Sequence, residues 1–215
     1  MKKVLALALF PAVMFLSAAF SQDIGTWTAI APLNKARGGN CIAYSATTGK
    51  FYVLGGRDNP SGGTTNIPIE EYDVASNTWT NKINLSVGVS SAGAAAVGSY
   101  IYIAGGLDNA SAPSAELQRF DPAANVVTTL AAMPAPNNSH AVVAIGNKIY
   151  VLGGSATSGI AGTTNYCYDI AANTWSSGAA APTAVRRVGG ATDGTYIYLI
   201  GGTDTVGNAL DVVQR

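Results

Sequence analysis

The sequence is poor in the residues from which most catalytic centres are built. It has one histidine, His140, two cysteines, Cys41 and Cys167, and only 11% charged residues in a chain of 215. A single histidine excludes a multi-histidine metal centre, so no metal and no cofactor are expected. The two cysteines fall at unrelated places in the repeat described below, so a disulfide between them is not expected and each reads as a small buried hydrophobe. Basic stretches are also lacking. Setting aside Lys2 and Lys3 leaves ten basic residues against twelve acidic ones, a near-neutral chain unsuited to nucleic acid. No glycine-rich loop leads into a helical pattern, which leaves no phosphate cradle.

The amino terminus stands apart from the rest. Lys2 and Lys3 precede an apolar run from Val4 to Leu16, then small residues, then Gln22 and Asp23. That layout is a secretory signal peptide with cleavage after Ser21, and the run is too short and wrongly flanked for a stable membrane span. Residues 1–21 are therefore expected to be removed. The remainder, 22–215, is expected to be secreted or periplasmic, with no stable membrane insertion.

What the chain does have is glycine, 25 residues of it, and a hydrophobic content of 48% arranged in a repeat. Tyr52-Val53-Leu54-Gly55-Gly56 recurs at Tyr102–Gly106, Tyr150–Gly154 and Tyr198–Gly202, with spacings of 50, 48 and 48. An aromatic residue followed by Asp keeps step at Tyr72-Asp73, Phe120-Asp121 and Tyr168-Asp169. Asn77-Thr78-Trp79 and Asn173-Thr174-Trp175 form a third marker, with Asn125-Val126-Val127 in the second repeat and Trp27 alone before the first. Repeats of this length indicate an array of one supersecondary unit. Alternation and turn residues divide each unit into four short strands, the Gly146-Asn147 turn between two apolar runs marking a hairpin. A single twisted meander cannot bury both faces, so copies must stack, and a ring of such sheets leaves few open edges. The fold class is all-β, a β-propeller of four-stranded antiparallel blades. Its units run over about 34–82, 83–130, 131–178 and 179–215, the last incomplete, with an orphan outer strand at 25–32.

The double glycine, the aromatic-Asp pair and the Trp, in this order, resemble the kelch repeat family of β-propellers. The resemblance covers roughly residues 25–215 and implies blades with the tyrosine and glycines on the second strand and the Trp on the outermost. Kelch propellers commonly carry more blades than the four repeats here, and the fourth lacks its aromatic-Asp pair. The chain therefore reads as part of a larger propeller rather than a closed four-bladed ring. It is also similar to galactose oxidase in its propeller, but one histidine cannot build the copper site of that enzyme.

Chemistry is sparse. Asp73, Asp121 and Asp169 sit where a turn needs side-chain support, and the neighbours Glu70 and Glu71 point to opposite faces of a strand and cannot act as an acid and base pair. Candidate ligand-binding residues are those on loops that a propeller gathers around its opening: Arg57 and Asn109 after the double glycines, and Arg37, Asn138, Arg186 and Arg187 between blades, with His140 beside them. The resemblance places the inter-blade arginines near the central opening, and a guanidinium fork suits carboxylates. The expected function is an exported binding module for a protein segment or a carbohydrate. The alternative is a sugar-active enzyme like the sialic-acid mutarotases among exported bacterial kelch proteins, which needs convergent Arg, Glu and His groups. An enzyme is the less favoured reading.

Overall fold

Each repeat folds as an antiparallel meander. The computed structural model describes residues 27–59, 63–157 and 159–215, all strand, turn and loop. The first sheet is β1 (Cys41–Ser45), β2 (Lys50–Leu54), β3 (Pro68–Asp73) and β4 (Thr78–Asn84), hydrogen-bonded in that order. The second is β5 (Gly93–Val97), β6 (Tyr100–Ala104), β7 (Leu117–Asp121) and β8 (Val126–Thr129), and the third is β9 (Ala141–Ile145), β10 (Lys148–Leu152), β11 (Asn165–Asp169) and β12 (Thr174–Ser177). The fourth comprises β13 (Gly189–Thr192), β14 (Ile197–Ile200) and β15 (Val213–Gln214). All four blades lie within the unit Ala31–Arg215, and among the described residues no helix is long and apolar enough to cross a membrane. The expected signal peptide, 1–21, lies outside the described residues.

The three sequence markers each close a specific turn or contact. Asp73 Oδ1 accepts the N–H groups of Ala75 and Ser76, and Asp121 and Asp169 accept the corresponding pairs, which fixes the turn between the third and fourth strands. Asn77, Asn125 and Asn173 complete those turns in the left-handed region, φ 53–54°. Their side chains then reach outward. Asn77 Oδ1 accepts the Tyr72 hydroxyl and the Ala31 N–H, while Trp79 Nε1 donates to the Ala31 carbonyl. Asn173 and Trp175 hold Ala131 in the same way. The segment leading into a blade is thereby pinned along that blade's outer strand. This pinning bears on the orphan strand expected at 25–32: residues 27–33 carry no strand, and Ala31 runs instead as the incoming segment of the first blade.

The inner strands stack in sequence, β1 on β5, β5 on β9 and β9 on β13. Three apolar clusters fill the three blade interfaces. Tyr52, Leu54 and Ile69 meet Ile101, Ile103 and Phe120; Tyr102, Ala104 and Leu117 meet Ile149, Val151 and Tyr168; Ala141 and Leu152 meet Val188 and Leu199. Each buried leucine, isoleucine, valine or phenylalanine among them contributes about 1.5–3 kcal/mol. Small residues on the inner strands permit the approach, since a Cβ on Gly93 would lie 2.3 Å from Val142 Cγ2 and one on Gly190 2.6 Å from Ala141 Cβ.

The double glycines join each blade to the next through backbone. Gly56, Gly106 and Gly154 donate to the carbonyls of Val89, Asn137 and Val185, each at 2.8 Å. The preceding glycine passes so close to the same carbonyl that a Cβ on Gly105 would sit 2.4 Å from Asn137 O, in a backbone at φ +58°. Gly105→Ala is therefore expected to cost about 2–4 kcal/mol, against about 1 kcal/mol for Gly98→Ala, which has a similar φ and open space around it. Denaturant midpoints of the two variants check this, and equal losses would show that φ alone, not the blade contact, dictates glycine there.

Candidate functional site

The inter-blade segments meet at the narrow end of the inner strands. Gly38, Ser90, Asn138 and Arg186 occupy equivalent positions and form two-way backbone bridges with Arg57, Leu107, Ser155 and Thr203, the residues that follow the double glycines. One residue further on lie Gly39, Ser91, Ser139 and Arg187, all left-handed, with φ of 64°, 53°, 54° and 52°. Their peptides form a ladder across the blades. Ser91 N–H donates to Gly39 O at 2.6 Å, Ser139 to Ser91 O at 2.8 Å and Arg187 to Ser139 O at 2.7 Å. Left-handed backbone at three non-glycine residues costs of order 1–3 kcal/mol each and concentrates at functional positions.

This ladder borders a cavity of about 470 Å³ lined by Gly38, Gly39, Arg57, Ser90, Ser91, Leu107, Ser111 and Arg187. Arg57 is half-buried and spends one bond, Nη2 to the Asp108 carbonyl at 2.7 Å. Arg187 is exposed. Among the described residues neither arginine forms an ion pair, and no carboxylate or imidazole lines the cavity. The result is a polar recess with two guanidinium groups and three serines. Such a lining has the chemistry to hold an anion in two-point fashion, and its residues include no carboxylate or imidazole for proton transfer.

The other candidate residues are placed elsewhere. Arg37 is turned into the first blade, where its buried guanidinium pairs with buried Glu70 and donates to the carbonyls of Gly55 and Pro68. Arg186 donates Nε to the Asp204 carbonyl at 3.3 Å. Asn138 is buried and donates Nδ2 to Ser155 O, while Asn109 Oδ1 accepts the Thr65 N–H and ties neighbouring loops together. His140 lies buried at the interface between the second and third blades, with Nε2 3.1 Å from Ala104 O. Of the seven candidates, the structure brings together Arg57 and Arg187. Ser91 and Ser111 were not singled out from the sequence; Ser91 was findable, because it holds the position of Arg187 two repeats earlier.

Glu70 shows how one position serves several blades. It accepts the N–H groups of Asn34 and Lys35, and its counterparts Gln118 and Gln214 bind the backbone of Val87 and Thr183 in the same way. Only Glu70 faces an arginine; Val89 and Val185 stand where Arg37 does. Glu70→Gln alone strands a buried cation and is expected to cost about 3 kcal/mol or more. The pair Arg37→Val with Glu70→Gln copies the second and fourth blades and is expected to regain most of that loss. Denaturant midpoints of the two single variants and the double variant measure the coupling, which additive losses would refute.

Both cysteines are free and partly buried, Cys41 against the first apolar cluster, and His140 is buried. Burial pushes the Cys41 thiol up to about 12. Burial holds His140 down to about 4, against an ordinary value of 6.5, outweighing the hydrogen bond to Ala104. Between these two pH values the unfolded chain takes up a proton that the folded one does not. The contribution of His140 is complete above pH 6.5 and is lost as pH falls towards 4, amounting to about 2 kcal/mol between pH 7 and pH 5. The carboxylates with lowered values, such as Asp73 and Glu71, act below this window. Stability measured against pH is expected to decline from pH 7 to 5 in the wild type and to stay flat over that range in His140→Val, which copies Val188 of the fourth blade.

Comparison with known proteins agrees with this architecture. The KLHDC2/KLHL20/DRC7 Kelch-repeats domain model matches residues 36–214. The solved structure of YjhT superposes with a TM-score of 0.67 over 87% of this chain and 84% of that one, at 15% identity, a likeness that shows the fold alone. No curated protein matches the chain.

Proposed function

Because the chain belongs to the KLHDC2/KLHL20/DRC7 Kelch-repeats domain family, we propose that it is a binding module that captures a carboxylate-bearing protein segment in the recess bordered by Arg57 and Arg187. The observation that carries this reading is the pair of guanidinium groups, free of acidic partners among the described residues, on one cavity of about 470 Å³. A cavity of this size holds a few residues of a peptide rather than a whole domain surface. The Gly38–Arg57 and Ser90–Leu107 backbone bridges fix the strands that border the recess, which lowers the ordering cost of binding. The reading includes export of the mature chain, which rests on Lys2, Lys3 and the apolar run behind them. The enzyme alternative is less well supported, since it needs an acid and an imidazole in the recess, whereas Glu70 and His140 are buried in blade packing.

The test is selection from a displayed peptide library on the secreted product, whose mass also reports whether residues 1–21 are gone, followed by calorimetry with the selected peptide. Selected sequences are expected to carry an acidic group or a free terminal carboxylate. Arg57→Ala and Arg187→Ala are each expected to weaken binding about tenfold or more, as for a charge-assisted hydrogen bond. Unchanged affinity in both variants refutes the site. Binding to acidic glycans instead of peptides, lost in the same variants, would keep the site and change the ligand class.

A further inference from the structure

Left-handed backbone at a residue other than glycine follows a pattern in this chain, and one residue stands outside it. Among the described residues seven non-glycines lie in that region. Asn77, Asn125 and Asn173 close equivalent turns, and the side chain of each accepts an N–H of an incoming segment. Ser91, Ser139 and Arg187 stand on the inter-blade ladder. Ser111, at φ 63°, belongs to neither set. It lies in the loop that follows the second double glycine.

The fourth blade builds the same loop and supplies an internal control. Asp108 N–H donates to Ala112 O at 2.9 Å, Asp108 Oδ1 accepts the Ala112 N–H, and Ser111 N–H donates to Asp108 O at 3.0 Å. Asp204 makes the same three contacts with Asn208 and Gly207. The left-handed residue of this loop is therefore Ser111 in one copy and Gly207, φ 97°, in the other. Glycine is what such a backbone favours, because a Cβ crowds the following carbonyl. Space does not separate the two copies, since a Cβ on Gly207 would have nothing within 4 Å. Ser111 thus carries a side chain that its loop does not need, at a conformational cost.

The two copies differ in what lies beside them. Asp108 O accepts both the Ser111 N–H and Arg57 Nη2, so one carbonyl holds the serine next to the guanidinium, and both residues line the recess. Asp204 O likewise accepts the Gly207 N–H and Arg186 Nε, but neither of those residues lines it. The serine is present where the loop borders the recess and replaced by glycine where it does not. Ser111 is exposed, and its hydroxyl has no hydrogen-bond partner among the described residues.

We propose that Ser111 is a third ligand-binding residue of the recess, its Oγ–H donating to the carboxylate held by Arg57 and Arg187. This rests on the reading of the recess as a carboxylate site. A carboxylate offers about four acceptor sites on its two oxygens, so a hydroxyl bonds to it alongside two guanidinium groups. The strained backbone at Ser111 is then a cost in stability that is offset only when the carboxylate is bound.

Two substitutions separate the hydroxyl from the backbone. Ser111→Gly copies Gly207 and is expected to raise the denaturant midpoint, whereas Ser111→Ala keeps the Cβ and is expected to leave it near the wild-type value. Binding is followed by nuclear magnetic resonance titration with two acetylated tripeptides, trialanine with a free terminal carboxylate and an amidated peptide with a central glutamate. Both variants are expected to bind about tenfold more weakly whichever tripeptide the wild type binds, as for a hydrogen bond to a charged group. A gain in stability with a loss of binding is an outcome that a merely structural serine does not produce. Ser111→Gly with a lowered midpoint overturns the proposal. So does wild-type affinity in either Ser111 variant while Arg57→Ala and Arg187→Ala lose binding, a result that leaves the reading of the recess intact. Binding that survives both arginine substitutions, or a wild type that binds neither tripeptide, overturns that reading and this proposal with it.

Discussion

The architecture depends on a backbone contact rather than on any side chain. At the end of each second strand the chain passes within van der Waals range of the next blade's incoming carbonyl and donates an N–H to it. A hydrogen bond from a peptide to a buried carbonyl is worth about 1 kcal/mol net, but leaving that carbonyl unpaired costs about 1–3 kcal/mol. The contact is therefore obligatory once blades stack. Two consecutive glycines are its only cheap solution, since both residues need positive φ and the first has no room for a Cβ. Apolar burial drives the stacking, and the glycine contact sets its register.

With the register fixed by backbone, side chains at equivalent positions are free to solve the remaining problems differently. Beside the first double glycine a guanidinium, Arg37, satisfies the Gly55 carbonyl; in the third blade Asn137 Nδ2 does the same for Gly153. In the second and fourth blades valine fills the space instead. The carboxylate of Glu70 follows from its neighbour: an acid is needed only where an arginine must be neutralised, and Gln118 and Gln214 bind the incoming segment equally well without charge. A buried ion pair of this kind marks a local accommodation, not a reactive centre.

This division explains what could be read in the sequence. Features imposed by backbone recur in every copy and were legible: the glycines, the aromatic-Asp turns and the strand boundaries that go with them. Features that differ between copies were less so. Arg37 and Arg187 both read as loop arginines, yet they sit two places apart in the repeat, and that offset turns one into the blade and the other towards the opening. His140 falls next to Asn138 in sequence and reads as a member of the same loop, but its place at the start of an inner strand commits it to the interface between blades. Trp27 resembles Trp79 and Trp175, whose indoles are used to pin an incoming segment; among the described residues, 27–33 carry no strand.

The same reasoning identifies where function can reside. A residue whose side chain is consumed by packing, bridging or capping has no capacity left for a ligand, and most conspicuous polar groups here are consumed: Asn138 by Ser155, Asn109 by Thr65, Arg186 by Asp204, Glu71 by Tyr52 and two lysines. The ladder position of Gly39, Ser91, Ser139 and Arg187 is less constrained, because its peptide already carries the inter-blade ladder and, among the described residues, only the Ser139 side chain is engaged, by Asn138. Nature of the residue there is then unconstrained by the fold, which is why glycine, two serines and an arginine share one backbone conformation. Arg187 adopts this left-handed φ while its side chain forms no hydrogen bond or ion pair among the described residues. Under the proposed reading a bound carboxylate supplies that contact, with the half-buried Arg57 on the same recess as the second cation.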